Sequence, residues 1–304
     1  MADVTIYEVG PRDGLQNIAV NTPTDDKICM IQRLHYAGLK NMEITSFVHP
    51  KLVPNMSDAE EVFIATKDID DFSVLVPNQK GLDRAKAVGA NKFNVFFSPI
   101  ETFNKANLGT DMDTSIDNIS TMLHDTDREN VRAYISCAFG ITTERVNEHR
   151  LLWAMQAADS FADTVVLCDT VGIAHPSSMV RTLELSRHID AKIALHLHHT
   201  KNKRDNMFPN IQAALDWGIT EFDASIGGLG GCPFMKGSGS NLSTNDMVKY
   251  LHKNNYETGL EIWELNAIAN SYAEEQIVPF TPMRLRVRNK LQEIINKSPM
   301  GSKW

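Results

Sequence analysis

Two histidines one residue apart, His196 and His198, are the sharpest chemical signal in the chain. They end an apolar run, 192–198, that reads as a β-strand, and residues i and i+2 of a strand point to the same side, so both imidazoles can reach one ion. The plain alternative is a polar strand end whose histidines bond to neighbours. A carboxylate from elsewhere favours the ion: Asp13 lies at the mouth of the first candidate strand, next to Arg12. Two imidazoles, a carboxylate and oxygen donors suit a divalent cation such as Mg2+, Mn2+ or Fe2+ better than a closed zinc site. His199 faces away from its two neighbours if the strand persists, and stays outside the donor set. Arg12 reads either as the structural partner of a carboxylate or as a fixed donor fork aimed at an oxygen that gains charge. Cys232 follows the glycine-dense run 227–231. Such glycines mark tight turns and a lone cysteine is most often inert; together they suit a thiol acid or base carried over a substrate. The tract from Lys236 to Asn241 is a weak phosphate-loop pattern, and Asn241 reads better as an oxygen donor to the ion.

These residues are far apart in sequence, so the fold must gather them. Short apolar runs at 5–9, 41–45, 72–76, 92–97, 132–137, 164–168, 192–198 and 221–225 read as strands. Helical stretches at 27–37, 59–67, 82–88, 114–123, 150–161, 177–187 and 210–217 separate them. Strands alternating with helices pair in parallel through right-handed crossovers. Eight repeats of about 30 residues are what a closed (β/α)8 TIM barrel requires, although an open doubly wound sheet shows the same alternation. Gly38, Gly89 and Gly218 each precede a strand, where a helix C-terminus needs a left-handed residue. After the eighth strand, 244–253 reads as the last barrel helix. The stretch 261–297 reads as two appended helices interrupted at Pro279 and Pro282, docked on the barrel, so that 1–304 is one domain. In a barrel the C-terminal strand ends line the active site. There lie Glu8 to Asn17, Glu43, Thr45, Ser46, Tyr134, Ser136, Asp169, Thr170, the histidines and the glycine–cysteine run.

The bulk properties narrow the partners. A chain of 304 residues, 42% hydrophobic and 22% charged, has enough length for a substantial core. A net charge of -8 argues against a general nucleic-acid binder, while leaving room for an anionic small substrate at a local basic patch. Four scattered cysteines without CxxC spacing fit a reducing compartment. Neither a signal-peptide layout over Met1–Gly10 nor a bilayer-spanning apolar run is present, so the expectation is a cytoplasmic protein with no membrane partner.

The run Glu8-Val9-Gly10-Pro11-Arg12-Asp13-Gly14-Leu15-Gln16-Asn17 resembles the opening signature of the 3-hydroxy-3-methylglutaryl-CoA lyase family. Gly228-Leu229-Gly230-Gly231-Cys232-Pro233, followed by Gly237 and Asn241-Leu242, resembles that family's catalytic-loop signature. Further similarity lies in Thr45-Ser46-Phe47-Val48, Pro77-Asn78, Ser136-Cys137-Ala138 and Asp169-Thr170-Val171-Gly172, so that the resemblance runs from about Thr5 to about Leu251. The resemblance implies a metal, Mg2+ or Mn2+, held by Asp13, His196, His198 and Asn241. It implies Arg12 as the enolate-stabilising cation, Cys232 as the catalytic thiol, and Glu43 and Asp169 as active-site carboxylates. Ser46, Asn107 and Tyr134 are implied near the substrate, and Gln16, on the same run as Arg12 and Asp13, joins them. The implied reaction is retro-Claisen cleavage of 3-hydroxy-3-methylglutaryl-CoA to acetoacetate and acetyl-CoA, with either Asp13 or His196 as the base. A homodimer through the C-terminal helices is the expected assembly.

Departures from the family pattern are specific. His199-Thr200-Lys201-Asn202 stands where the family reads Asp-Thr-Tyr-Gly, Asn245 where it carries a glutamate, Ile18 where it carries a glutamate, and Cys168 where it carries a glycine. They leave open a lyase for another branched 3-hydroxyacyl-CoA, or a metal-dependent aldolase or 2-alkylmalate synthase of the same superfamily. A barrel that only binds is the remaining alternative.

Overall fold

The computed structural model describes residues 3–16, 18, 21–200, 207–230 and 238–275. The eight strand runs become β1 (Thr5–Glu8), β2 (Glu43–Ser46), β3 (Ser73–Leu75), β4 (Lys92–Phe97), β5 (Val131–Ile135), β6 (Thr164–Asp169), β7 (Lys192–Thr200) and β8 (Glu221–Ala224). Helices α1 (Thr24–Tyr36), α2 (Ala59–Thr66), α3 (Gln79–Ala87), α4 (Glu101–Leu108), α5 (Met112–Met122), α6 (Glu148–Phe161), α7 (Pro176–Leu185) and α8 (Met207–Trp217) connect them. After β8 come a ninth strand, β9 (Ser238–Asn241), then α9 (Thr244–Lys253) and α10 (Ile262–Glu275). The strands run parallel in the order β1-β8-β7-β6-β5-β4-β3-β2. The ring closes where Glu8 bridges Met42 and the Glu8 amide donates to the Asn41 carbonyl at 2.9 Å. The fold is a (β/α)8 TIM barrel, and the open doubly wound sheet is excluded. Among the described residues no helix is long and apolar enough to cross a membrane.

Strand alternation sorts the side chains into two cores. In β7, Leu195 and Leu197 pack outward into the large aliphatic core beneath the helices. Ala194 instead joins Tyr134, Val166 and Cys168 in a small cluster inside the barrel. The repeated αβ turn is set by glycine: Gly38, Gly89 and Gly218 have φ of +102°, +96° and +107°. In each turn the next residue donates back five positions, Leu39 to Leu34 at 3.1 Å, Ala90 to Ala85 at 3.0 Å and Ile219 to Ala214 at 2.9 Å. That bond closes a helix only when a left-handed residue precedes it.

Two elements were not expected from the sequence. Helix α4 ends at Gly109, which takes φ +74°. Strand β9 lies antiparallel to the extension of β7, with His198 opposite Asn241 and Thr200 opposite Ser238. The described part of the tract read as a weak phosphate loop is therefore a paired strand. Helix α10 packs on α1, where an Arg33 NH donates to Ser271 Oγ at 2.8 Å. The second appended helix, expected up to Lys297, lies outside the described residues.

Much of the barrel interior is polar. Asn94 Nδ2 donates to Glu43 Oε1 at 2.8 Å and to Ser73 Oγ at 3.1 Å, and the Arg132 guanidinium lies 3.8 Å from the Tyr7 ring centre. Outside the ring, buried Glu8 ties three segments of the rim together. Its Oε1 accepts from the amides of Gly10 and Ile226, each at 2.8 Å, and its Oε2 from the Thr244 hydroxyl at 2.6 Å. Burial pushes the Glu8 carboxyl from 4.5 up to about 7 although these three donors pull it down. The folded state then holds this proton more tightly than the unfolded chain, so the associated stability is lost as pH rises from about 4.5 to about 7. Glu8→Gln keeps an acceptor for both amides and carries no charge. Urea midpoints should therefore fall less between those pH values in the variant than in the parent, by free energy on the order of 3 kcal/mol. Parallel pH dependences in the two proteins would rule out this assignment.

Candidate active site

The C-terminal rim is built first by the turn after β1. The amides of Arg12, Asp13 and Gly14 all converge on the Val9 carbonyl, at 3.2, 2.7 and 3.2 Å, and this tight turn carries Arg12 and Asp13 onto the barrel mouth. Donor atoms of Asp13, His196 and His198 all lie within 4.8 Å of one another. The two imidazoles face each other through their Nε2 atoms at 2.8 Å. The β9 pairing brings in Asn241, whose Nδ2 donates to Asp13 Oδ2 at 2.7 Å and to the Leu229 carbonyl at 2.9 Å. Asn241 Oδ1 is buried and takes no hydrogen bond.

This set fits a divalent cation. Two imidazole nitrogens in close opposition, a carboxylate and an orphaned amide oxygen need a positive centre, and mixed N/O donors of this kind suit Mg2+, Mn2+ or Fe2+. His198 and Asp13 sit in the states that ligand duty requires, neutral imidazole and ionised carboxylate. Burial would lower His196, whereas Asp223 and Asp13 raise it above an ordinary imidazole. Burial and the neighbouring His196 push His198 down to about 3. Burial alone would raise Asp13, but the Arg12 charge, with help from His196 and the Asn241 hydrogen bond, brings it below the usual carboxylate range.

Arg12 is held from two sides, its Nε by Glu43 and its NH1 by Asp13 Oδ1 at 2.6 Å. Burial would lower its pKa, and the two carboxylates more than offset that, so it remains charged. It opens on a cavity of about 460 Å3 whose floor includes Asp13, Gln16, His196 and His198. Ser46 and Tyr134 line the same cavity, and the buried Ser46 Oγ and Tyr134 OH have no hydrogen-bond partner. Two polar atoms left without partners beside a cavity are suited to a ligand's oxygens. Asn107, on α4, reaches the wall, its Nδ2 bonded to the Phe103 carbonyl at 2.9 Å; Gln16 Nε2 donates to Asp13 Oδ1 at 2.9 Å.

The remaining expected residues sit differently. Glu43 is fully buried and does not line the cavity; it meets the site through Arg12. Asp169 is turned onto its own loop, Oδ1 accepting from the Ile173 amide at 2.9 Å and Oδ2 from the Ala174 amide at 3.0 Å. Burial raises its carboxyl to about 6. Cys232 lies outside the described residues. His199 lines a separate cavity of about 420 Å3 with Phe208, Ser240 and Asp246, on the far side of β7 as alternation requires. Asn245, in place of the family glutamate, accepts from the Gly227 amide at 3.0 Å and donates to Asn266 at 2.9 Å, tying the β8 turn to α10.

Sequence reading missed Asp223. It is fully buried and its Oδ2 lies 3.2 Å from His196 Nδ1. The signal was present in the run 221–225, where Glu221, Asp223 and Ser225 alternate as the two histidines do.

A closed barrel whose rim joins a donor set that fits a divalent cation, a charged guanidinium and a cavity of about 460 Å3 has the make-up of a metal-dependent barrel enzyme. Comparison narrows the class. The family model described as HMGL-like matches residues 3–271, and the chain belongs to that family. The hydroxymethylglutaryl-CoA lyase of Bacillus subtilis is 39% identical over 295 residues, covering 93% of this chain and 97% of that protein. The cytoplasmic 3-hydroxy-3-methylglutaryl-CoA lyase of Homo sapiens is 36% identical over 275 residues, covering 86% of this chain and 72% of that protein. Among solved structures, the Bacillus subtilis HMG-CoA lyase matches with a TM-score of 0.84 at 36% identity, covering 95% of this chain and 99% of that one. An Acinetobacter baumannii HMG-CoA lyase in complex with coenzyme A and 3-methylmalate matches at 0.83 and 30%, covering 90% and 91%.

Proposed function

We propose that this chain cleaves 3-hydroxy-3-methylglutaryl-CoA to acetoacetate and acetyl-CoA, with Mg2+ or Mn2+ held by Asp13, His196, His198 and Asn241. The observation that carries the reading is the meeting of Asp13 with the two imidazoles, beside Arg12, at the floor of the cavity. Similarity to relatives named for this activity supports the substrate. The relative with coenzyme A bound supports an acyl-CoA.

A divalent cation supplies Lewis acidity toward the substrate's oxygens when bound. The 3-hydroxyl gives its proton to a basic group at the Asp13–His196 end of the cavity. Its oxygen becomes the keto oxygen of acetoacetate as the bond between C2 and C3 breaks. The electron pair of that bond passes into the thioester, whose oxygen gains charge as an enolate. Arg12 donates to this oxygen, and Glu43 holds the guanidinium for that task. The Cys232 thiol delivers a proton to C2 and completes acetyl-CoA. Ser46 and Tyr134 orient the substrate through their unpartnered oxygens. The same reading takes the protein as a cytoplasmic homodimer with no nucleic-acid or membrane partner.

Mn2+-loaded protein offered a panel of 3-hydroxyacyl-CoAs and 4-hydroxy-2-oxo acids should form acetoacetate from the hydroxymethylglutaryl thioester. Turnover of the oxo acids alone would replace the lyase with an aldolase. Cys232→Ala should lower kcat by about 10^2- to 10^4-fold and leave Mn2+ affinity, read by equilibrium dialysis, unchanged.

A further inference from the structure

Asp223 and Arg132 lie behind the cation-binding set and outside the cavity lining. Strands β7 and β8 pair with His196 opposite Asp223. Asp223 Oδ2 is 3.2 Å from His196 Nδ1, and its Oδ1 accepts from Arg132 NH2 at 2.8 Å. Arg132 is fixed in turn by Glu221, to which it also donates, and by the Tyr7 ring under its guanidinium at 3.8 Å. Neither residue reaches the cavity: Asp223 meets the site through His196, and Arg132 through Asp223 and through the Tyr134 ring, whose centre lies 5.8 Å from its guanidinium.

We infer that Arg132 and Asp223 are a positioning pair that fixes His196 as the Nδ1–H tautomer and turns its Nε2 lone pair toward the cation. The inference rests on reading His196 as a metal ligand. Its physical basis is donor polarity. A guanidinium only donates, so Arg132 orients Asp223 as an acceptor, and the Asp223 oxygen facing His196 requires a proton on Nδ1. Nε2, which faces His198 at 2.8 Å, is left as the acceptor. An imidazole without such a partner divides between two tautomers, one of which presents N–H where a ligand must present a lone pair. Stacking on Tyr7 and the bond to Glu221 keep Arg132 from following Asp223 elsewhere.

Asp223→Asn isolates this polarity because it preserves shape. The amide has one oxygen, and Arg132 can accept nothing, so that oxygen is drawn to the guanidinium and the NH2 faces His196. Nδ1 must then accept, and the ring proton moves to Nε2. The test records the tautomer directly, by long-range 1H–15N NMR of metal-free protein at alkaline pH, with His196→Gln used for assignment, and measures Mn2+ binding by equilibrium dialysis. The parent should show His196 protonated at Nδ1. The Asp223→Asn variant should show it protonated at Nε2, with Mn2+ affinity lower by about 10- to 100-fold. A parent protonated at Nε2, or a folded variant binding Mn2+ within about threefold of the parent, overturns the inference. Should the variant not fold, the parent spectrum alone decides. A parent that takes up no Mn2+ overturns the metal reading beneath it. Because the spectrum is recorded without metal, the two failures are distinguishable.

Discussion

Arg12→Lys should lower kcat by about 10^2- to 10^3-fold, the loss seen when one donor to a developing oxyanion is removed. The substitution keeps the charge and so tests geometry. Of the five N–H groups of a guanidinium, Arg12 commits one to Glu43 and one to Asp13 while still opening on the cavity. Glu43 is itself fixed by Asn94 at 2.8 Å, so the fork has a rigid seat. An ammonium is a point charge without a fork. In the seat between Glu43 and Asp13 it cannot also present a fixed donor to the substrate. Steady-state kinetics should show the loss mainly in kcat, since the donor acts on charge that appears only as the bond breaks. A variant with kcat within about tenfold of the parent would mean that Arg12 is only the neighbour of two carboxylates.

Gly230→Ala should disable the proposed cation-binding set without replacing any of its residues. Gly230 takes φ +91°, and a Cβ there would come within 2.8 Å of Asn241 Nδ2, 2.8 Å of the Asp13 carbonyl oxygen and 2.9 Å of Gly14 Cα. Two of those atoms are backbone, so the neighbours cannot rotate aside. Collision and left-handed strain together should destabilise by about 2–4 kcal/mol. Because the displaced groups hold Asp13 and Asn241, Mn2+ affinity should fall with stability. Gly89→Ala is the control: φ is +96°, but no atom lies within 4 Å of the added carbon. It should cost about 1–2 kcal/mol of strain and leave Mn2+ binding intact. Equal Mn2+ affinities in the two variants would show that the space at Gly230 is not what holds the donors together.

How much of this was legible depends on how local each constraint is. The barrel could be read because parallel strands need crossover helices, and because Gly38, Gly89 and Gly218 occupy a backbone conformation that other residues resist. Asp13 and the imidazoles could be assembled on paper because Asp13 follows β1 closely and the histidines lie toward the C-terminal end of β7, and such strand ends of a barrel meet on one rim. Helix α4 escaped because it is eight residues long and buries only Phe103 and Asn104, a single apolar position among them. Strand β9, Ser-Gly-Ser-Asn, has no apolar alternation at all, and its existence depends on a partner in β7. Direction was the hardest property to read. Glu43 opens β2 and Asp169 closes β6, yet one turns to Arg12 and the other to its own loop amides. Asp223 could be tied to His196 only through the β7–β8 register.

The polar filling of the barrel has a consequence for any attempt to harden this protein. Most barrels of this architecture are plugged with branched aliphatic side chains, and exchanging a buried ion cluster for well-packed hydrocarbon is often neutral or stabilising. Here Tyr7, Ser73, Asn94 and Glu43 lead to Arg12, while Arg132 and Asp223 lead to His196. Refilling that plug with leucine and valine would trade activity for heat resistance. Thermal engineering should therefore begin on the outer helices and spare the axis.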